Sequence, residues 1–239
     1  MLDLHFYPSP NGLKIAIAVE EMELPYRIVP VNILRGEQFA PDYLTISPNN
    51  KIPALVDHDA PGGPLTIFES GAILVYLAEK SGKFLPQELH GRMHVLQWTF
   101  WQVGGLGPMA GQAHHFRAFA SEVVPYGIRR YTDEVNRLYG VLDRQLAGAE
   151  FIAGNYSIAD MACWPWVVPF ERQGQQLEDF PNVQRWFERM RVRPGVERGY
   201  ARGHERMADQ QAYEFLYGQT AHGVHARECE QRGAEGAQR

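Results

Sequence analysis

Residues 49–57 read Asn49-Asn50-Lys51-Ile52-Pro53-Ala54-Leu55-Val56-Asp57, a short apolar run that the chain enters through a proline. Such a run predicts a strand. After a Gly62-Gly63-Pro64 turn, residues 65–68 read Leu65-Thr66-Ile67-Phe68, close enough along the chain to be an antiparallel partner. Residues 70–80 then show the apolar spacing of an amphipathic helix. This stretch therefore predicts a β-β-α unit.

The residues before this unit predict a strand, a helix and a second strand. In residues 2–7 the apolar side chains of Leu2, Leu4 and Phe6 alternate with those of Asp3, His5 and Tyr7. This period of two predicts a first strand with one buried face. Residues 11–24 have helical apolar spacing, and residues 26–33 predict the second strand. Together they form a βαβ unit with parallel strands. The order β-α-β followed by β-β-α, with Ile52-Pro53 entering the third strand, predicts an α/β domain of the thioredoxin-like type over residues 1–86.

Beyond His90 the pattern changes to long helical periods without convincing strand alternation. The periodic segments are residues 90–118, 125–147, 157–173 and 181–192. Ser157-Ile158-Ala159-Asp160 predicts a helix start, because a serine N-cap and an acidic residue three positions later form a capping box. These features predict an all-helical domain over residues 90–205. Residues 206–239, rich in Gly, His, Arg and Glu, predict a C-terminal extension with little core of its own.

The composition excludes several classes of function. The 239 residues carry 23 basic and 28 acidic side chains, a formal net charge of −5, so the broad positive field needed for nucleic-acid or anionic-membrane binding is missing. The longest apolar stretch, residues 158–170, is too short to span a bilayer. Cys163 and Cys229 form neither a disulfide framework nor a CxxC motif, which favours a cytoplasmic protein. The two histidine pairs, His90 with His94 and His114 with His115, are not accompanied by a third metal ligand, so no metal site is predicted.

Several motifs that follow one another in order resemble the glutathione transferase family. The motifs of the first domain are Asn49 to Asp57, quoted above, and Phe68-Glu69-Ser70-Gly71-Ala72-Ile73-Leu74-Val75-Tyr76-Leu77-Ala78. Those that narrow the resemblance to the bacterial Nu-class enzymes are Ser9-Pro10-Asn11-Gly12, Ser47 to Lys51, Gln97 to Met109 and Ser157 to Trp166. Yeast nitrogen-regulatory prion proteins are more distant relatives. The resemblance spans residues 1–205 and implies a homodimer that reduces disulfides with glutathione, with weaker conjugation of electrophiles.

Glutathione carries two carboxylates, one amine and one thiol, so its site needs a backbone edge, an anion cradle and a thiolate stabiliser. A cis bond between Ile52 and Pro53 would turn the Ile52 backbone outward to pair with the cysteinyl unit like an added strand; the alternative is an ordinary turn. Glu69 and Ser70 begin the helix after the fourth strand, where free N–H groups and the helix dipole favour a carboxylate. We expect Ser70 to bind the γ-glutamyl carboxylate and Glu69 to hold the ammonium, with a plain helix cap at Ser70 as the alternative.

Three further side chains are candidates for the rest of the ligand. Gln38 and Lys51 would reach the glycyl carboxylate, Lys51 as a point charge, unless both belong to a solvated surface. The resemblance places Arg130 at a family position that can approach the disulfide form of the ligand, with Arg129 beside it as an equal candidate.

The thiol end of the ligand decides the chemistry. Ser9 is a good N-cap for the first helix, and Pro10 is a favoured first residue. A glutathione sulfur against the Asn11 N–H or the Ser9 hydroxyl would ionise more readily at this helix N terminus, and thiolates attack disulfides. For Ser9 the alternative is a plain cap. Tyr7 is the rival thiolate stabiliser, because other classes of the family use a tyrosine near the end of the first strand.

The first domain contains no cysteine, so a disulfide reductase built on it must take its thiols from glutathione. Two bound glutathione molecules, or one molecule of oxidised glutathione, would carry the redox pair. Cys163 lies in an apolar helix and is expected to be an inert core thiol. The predicted function is therefore glutathione-dependent reduction of small disulfides. Conjugation of electrophiles is a second hypothesis. The third is a non-catalytic glutathione-binding regulatory module, whose partner would bind the helical domain or the tail.

Overall fold

A computed structural model describes the backbone of residues 1–205 and the side chains of residues 1–202. The predicted extension over residues 206–239, which includes Cys229, lies outside the described residues. The described chain consists of a mixed α/β part followed by a helical part.

The N-terminal part is a four-stranded mixed sheet with helices. Its elements are β1 (Leu2–Phe6), α1 (Pro10–Met22), β2 (Tyr26–Pro30), α2 (Pro41–Ile46), β3 (Ala54–Asp57), β4 (Leu65–Phe68) and α3 (Ser70–Ser81). The strand order is β2-β1-β3-β4; β1 is parallel to β2 and antiparallel to β3, and β4 is antiparallel to β3. The predicted α/β class of the thioredoxin-like type is confirmed.

Two details of this sheet differ from the sequence prediction. β2 ends at Pro30, because the chain continues into 3-10 turns at Ile33–Arg35 and Glu37–Phe39. On β1, Asp3 is buried although the alternation places it opposite the apolar face. Arg27 donates to both carboxylate oxygens of Asp3, at 2.6 and 2.7 Å. These hydrogen bonds hold the pKa of Asp3 at about 2 against the opposing effect of burial.

The helical part extends from residue 89 to the end of the described chain. Its elements are α4 (Leu89–Trp101), a π turn (Gln102–Leu106), α5 (Gly107–His114), a second π turn (His115–Phe119), α6 (Pro125–Gln145), α7 (Ile158–Val167), α8 (Pro181–Arg191) and α9 (Pro194–Glu205). The π turns divide the segment predicted as continuous over residues 90–118. The first contains Gly104 and Gly105, and adjacent glycines of this kind favour a local departure from α-helical geometry. The capping box of Ser157 and Asp160 is confirmed.

The apolar core is continuous between the two parts, because α1 packs against both α7 and α9. α9 lies beyond the last predicted periodic segment. A Cβ atom on Gly199 would lie 2.6 Å from the Ile17 backbone, so glycine at this position lets α9 approach α1 closely. No helix within residues 1–205 combines the length and apolar character that crossing a membrane requires.

Candidate functional site

The strand register brings three separate segments to one edge of the sheet. His5 on β1 is opposite Ala54 on β3, which is in turn opposite Phe68 on β4. Because neighbouring strands lie about 4.8 Å apart, these three strand ends lie within roughly 10 Å of one another. The residues next to them are Ser9 to Asn11, Ile52-Pro53 and Glu69-Ser70. The predicted contacts for the thiol, the cysteinyl backbone and the γ-glutamyl end therefore meet at one place.

Ser9 begins α1 as its N-cap. Its Oγ accepts a hydrogen bond from the Gly12 N–H at 3.3 Å, and Pro10 is the first helical residue, as predicted. An accepting hydroxyl keeps its own proton, so Ser9 can cap the helix and donate to a ligand at the same time. A Cβ atom on Gly12 would lie 2.2 Å from the Tyr7 carbonyl oxygen, so glycine allows α1 to start this close to the end of β1.

Asn11 is held in one orientation by the helical part. The indole Nε1 of Trp166, on α7, donates to Asn11 Oδ1 at 2.9 Å. Because an indole N–H only donates, the Asn11 oxygen must face Trp166 and the Nδ2 group must occupy the other branch of the amide. Within the described chain, Nδ2 has no protein acceptor of its own. The side chain therefore offers two amide hydrogens at the N terminus of α1, in addition to the backbone N–H that the sequence suggests.

The segment before β3 is fixed by two hydrogen bonds to one carbonyl. The hydroxyls of Tyr43 and Ser47 donate to the Lys51 carbonyl oxygen at 2.7 and 2.9 Å. The Ile52-Pro53 peptide bond is cis, as predicted. β3 pairs with its neighbours from Ala54 onward, and among residues 1–205 the Ile52 N–H and carbonyl make no backbone hydrogen bond. This leaves a backbone edge of the kind that an extended peptide pairs with.

The start of α3 offers N–H groups to an anion. Ser70 is the first residue of α3, and Glu69 precedes it with a φ of 73°. No side chain in the described part of the protein caps this helix start. The alternative in which Ser70 caps its own helix is therefore wrong, and the first N–H groups of α3 remain available. Glu69 is exposed beside them, in position to pair with a cation.

Lys14 contributes to this region without having been predicted from the sequence. Its side chain is buried at 1% exposure, and Nζ donates to Ser70 Oγ at 3.2 Å and to Gln102 Oε1 at 2.5 Å. Burial lowers the pKa of Lys14 to about 7. The sequence signal is a lysine inside the apolar run of residues 13–19, all of which are buried. Its partners are distant in sequence, so the run alone does not identify them.

Three predicted residues are not hydrogen-bonded to the others. Gln38 lies in the 3-10 turn Glu37–Phe39, and its Oε1 is buried with no hydrogen-bond partner in the described part of the chain. The Lys51 side chain is exposed next to the Ile52 edge. Arg130 is exposed on α6. Their contacts with the glycyl carboxylate and the oxidised ligand stay predictions.

Tyr7, the rival thiolate stabiliser, and the thiol of Cys163 are both buried. Tyr7 follows β1; it is 7% exposed, and its hydroxyl oxygen is covered by protein. Cys163 is a fully buried free cysteine, and burial raises the pKa of its thiol. A thiol of this kind is unreactive, as the sequence predicts. Within residues 1–202, the His, Cys, Asp and Glu side chains form no group of three or more suited to a metal ion.

Family models and curated proteins agree on the type of protein that this chain resembles. Residues 3–79 match the model described as the N-terminal domain of glutathione S-transferase, and residues 125–189 match the model of its C-terminal domain. The chain is similar to the disulfide-bond oxidoreductase YfcG of Escherichia coli strain K12. The two are 56% identical over 199 residues, which cover 82% of this chain and 93% of the relative.

Solved structures show the same architecture with ligands present. A glutathione transferase family member from Pseudomonas fluorescens Pf-5, with two glutathione bound, has a TM-score of 0.79 and 43% identity over 83% of this chain and 92% of that one. A glutathione transferase from Pseudomonas putida, with one glutathione disulfide bound per subunit, has a TM-score of 0.80 and 43% identity over 83% and 90% of the two chains. Between them, these neighbours hold both redox forms of the tripeptide.

Proposed function

Because this chain belongs to the glutathione S-transferase family, we propose that it is a glutathione-dependent oxidoreductase that reduces small disulfides. The observation that carries the proposal is the Asn11 amide, which Trp166 orients so that Nδ2 is presented at the N terminus of α1. Amide donors at a helix N terminus stabilise a thiolate, and the thiolate is the species that attacks disulfides. The name of the Escherichia coli relative supports the same reaction.

The reaction uses two glutathione molecules as the reductant. The first, ionised beside Asn11 and Ser9, attacks one sulfur of the substrate disulfide; a mixed disulfide forms, and the departing substrate thiolate takes up a proton. The second glutathione thiolate attacks the glutathione sulfur of the mixed disulfide. This step forms glutathione disulfide and releases the second substrate thiolate, which also takes up a proton. The two protons and two electrons gained by the substrate are those given up by the two glutathione thiols.

The remaining parts of the site would hold the tripeptide in place. The Ile52 backbone edge beside Pro53 pairs with the cysteinyl unit, and the N terminus of α3 with Ser70 binds the γ-glutamyl carboxylate. Glu69 pairs with the ligand ammonium. The residues assigned to the outer groups are Gln38 and Lys51 for the glycyl carboxylate and Arg130 for the second half of oxidised glutathione.

We further propose a homodimer located in the cytoplasm. Met93 and Phe100 on α4 are 45% and 66% exposed, an apolar character that suits a subunit interface. Reduced glutathione is the thiol pool of the cytosol, and the reaction consumes it. For the domain limits we retain residues 1–86 for the glutathione-binding domain and residues 90–205 for the helical domain.

The stoichiometry of the products tests this function. Purified protein is incubated with reduced glutathione and hydroxyethyl disulfide, and the products are separated by chromatography. The proposal predicts two molecules of mercaptoethanol and one of glutathione disulfide for each substrate molecule consumed, at a rate proportional to the protein concentration. A rate no higher than that of glutathione alone would contradict it.

Electrophile conjugation is the second candidate function, and Tyr7 is the residue that favours it. Its position at the end of β1 suits a hydroxyl that stabilises a thiolate. Its hydroxyl oxygen is covered by protein, however, and therefore poorly placed to receive an incoming sulfur. Tyr7→Phe is expected to leave conjugation of chlorodinitrobenzene unchanged. A loss of about tenfold or more would support Tyr7 as the thiolate stabiliser.

A further inference from the structure

Lys14 carries a buried amine that lies next to Ser70, at the N terminus of α3. It belongs to the second turn of α1 and reaches Ser70 on α3 and Gln102 in the first π turn. Both polar partners of Nζ are neutral oxygens, and no carboxylate within residues 1–202 forms an ion pair with it. A buried charge without a counter-ion is strongly unfavourable. The folded protein therefore disfavours the charged form of Lys14 unless an anion is brought close to it.

The surroundings of Lys14 keep its protonation in balance near neutral pH. Burial is the largest effect and lowers its pKa to about 7, whereas the negative charge of Glu69 raises it. Cys163 faces it from α7 and Glu69 from the turn before α3, while Gln102 is uncharged. The Cys163 thiol is itself held protonated by burial. A new negative charge near Ser70 would therefore shift Lys14 towards its charged form.

We propose that Lys14 is a positioning residue for the anionic end of glutathione: its ammonium, hydrogen-bonded to Ser70 from inside the protein, is the buried counter-ion of the γ-glutamyl carboxylate. This inference rests on the proposed function. An ammonium group only donates, so the Ser70 oxygen accepts from Lys14 and its hydroxyl proton is left to donate towards the ligand. Each bond in such a chain polarises the next. Binding of the carboxylate consequently takes up a proton at Lys14 when the solution pH is above neutrality.

Calorimetric titration with S-methylglutathione tests this coupling. The S-methyl group removes the ligand thiol, so its ionisation does not contribute. Titrations at pH 8 in two buffers of different ionisation enthalpy give the number of protons taken up on binding. The wild type is expected to take up between about one half and one proton per site, and its affinity is expected to fall about tenfold from pH 6 to pH 8.

Two variants separate the charge of Lys14 from its packing. Lys14→Met keeps most of the side-chain volume and removes the buried charge. In this variant, any proton uptake beyond that of the ligand amine should disappear, and the affinity should no longer fall from pH 6 to pH 8. Gln102→Glu supplies a permanent counter-ion at an unchanged size, so Lys14 should remain charged and proton uptake at pH 8 should also disappear. Lys83→Met is the matched control, because Lys83 pairs with Glu23 at the far end of α1. It should bind as the wild type does.

The outcomes distinguish this inference from the function on which it rests. Circular dichroism and thermal unfolding first establish that each variant is folded. Proton uptake that is unchanged in Lys14→Met would overturn the role of Lys14 while leaving the disulfide reductase proposal intact. No binding of S-methylglutathione to the wild type would overturn both. Loss of the uptake in both variants, with normal uptake in Lys83→Met, is the result that the counter-ion role predicts.

Discussion

Trp166 and Asn11, 155 residues apart in the chain, are joined by a hydrogen bond of 2.9 Å from the indole Nε1 to the amide Oδ1. The Trp166 ring lies against α5, where Cβ atoms on Gly107 and Gly111 would be 3.5 and 3.4 Å from it. The helical part thus sets the position of the ring, and the ring sets the direction of the amide. The thiolate site at the start of α1 is therefore completed by the second part of the chain.

Trp166→Phe removes this hydrogen bond and leaves the Asn11 amide able to turn. We expect kcat/KM for disulfide reduction to fall by about threefold to tenfold, the value of one net hydrogen bond. Trp164→Phe is the matched control on the same helix. Its indole N–H donates to the Phe187 carbonyl at 3.2 Å, away from Asn11. Equal activity losses in the two variants would show that the effect of Trp166 is general destabilisation.

Ser9 is expected to have two separable roles, as helix cap and as sulfur donor. Ser9→Ala removes both and should reduce stability by about 1 kcal/mol, whereas Ser9→Gly should reduce it by only a few tenths of a kcal/mol, because glycine is a tolerable N-cap. Both variants lose the hydroxyl and should lose disulfide reduction to the same extent, by several-fold. Urea unfolding and initial rates measure the two effects. Full activity in Ser9→Gly would contradict the role of Ser9 as a donor to the sulfur and leave only its role as the helix N-cap.

The stability of the ligand-free protein should depend on pH through Lys14. Its pKa in the folded protein, about 7, is below its ordinary value of 10.5. Between those values the unfolded chain binds more protons than the folded one, so this group makes the free energy of unfolding rise as the pH rises. Lys14→Met abolishes that dependence. Its stability relative to the wild type, measured by urea unfolding, should fall by about 2–3 kcal/mol from pH 7 to pH 9.5. An unchanged difference would contradict the lowered pKa of Lys14 in the folded protein.

Asp160 is expected to be a principal determinant of stability in the helical part. It is fully buried, and its carboxylate accepts hydrogen bonds from four donors: the Ile152 N–H, the Ser157 N–H, Ser157 Oγ and the Trp186 indole. In Asp160→Asn an amide NH2 group replaces one carboxylate oxygen. Turned towards Ser157, this group would face the N–H and O–H donors of that residue without an acceptor between them. We expect the free energy of unfolding to fall by about 2–4 kcal/mol in urea unfolding.

Asp143→Asn is the control for Asp160→Asn. Asp143 also accepts from a helix start, through the Asn182 and Val183 N–H groups, but it is only partly buried. In Asp143→Asn the free energy of unfolding should fall by about 1 kcal/mol, because water can replace part of the hydrogen bonding that the carboxylate provides. A smaller effect at Asp160 than at Asp143 would contradict the importance assigned to burial.

The sequence predicts the strand and helix order because the apolar periods and turn residues are local signals. The register of β1, β3 and β4, which gathers the site, is set by side-chain packing across the strands and is seen only in the structure. α9 is different: Gly195 and Gly199 lower its intrinsic helix propensity, and its stability comes from close packing on α1. A contact of this kind between distant segments has no local signal.

The candidate site shows the same division. Ser9, the Ile52-Pro53 bond and Ser70 are at element ends, where caps, prolines and turns are visible in sequence. Lys14 and the Trp166 contact are found only when two parts of the chain are brought together. For Lys14 the apolar run around it indicates burial, but the hydroxyl that it meets is 56 residues away.

The central claim is tested most directly by measuring, on one preparation, glutathione-dependent reduction of hydroxyethyl disulfide beside conjugation of chlorodinitrobenzene, for the wild type and for Asn11→Ala. We predict strong reduction and feeble conjugation in the wild type, with reduction falling by about tenfold to a hundredfold in Asn11→Ala while its unfolding transition is unchanged. Dominant conjugation in the wild type, or full reduction in Asn11→Ala, would contradict the account.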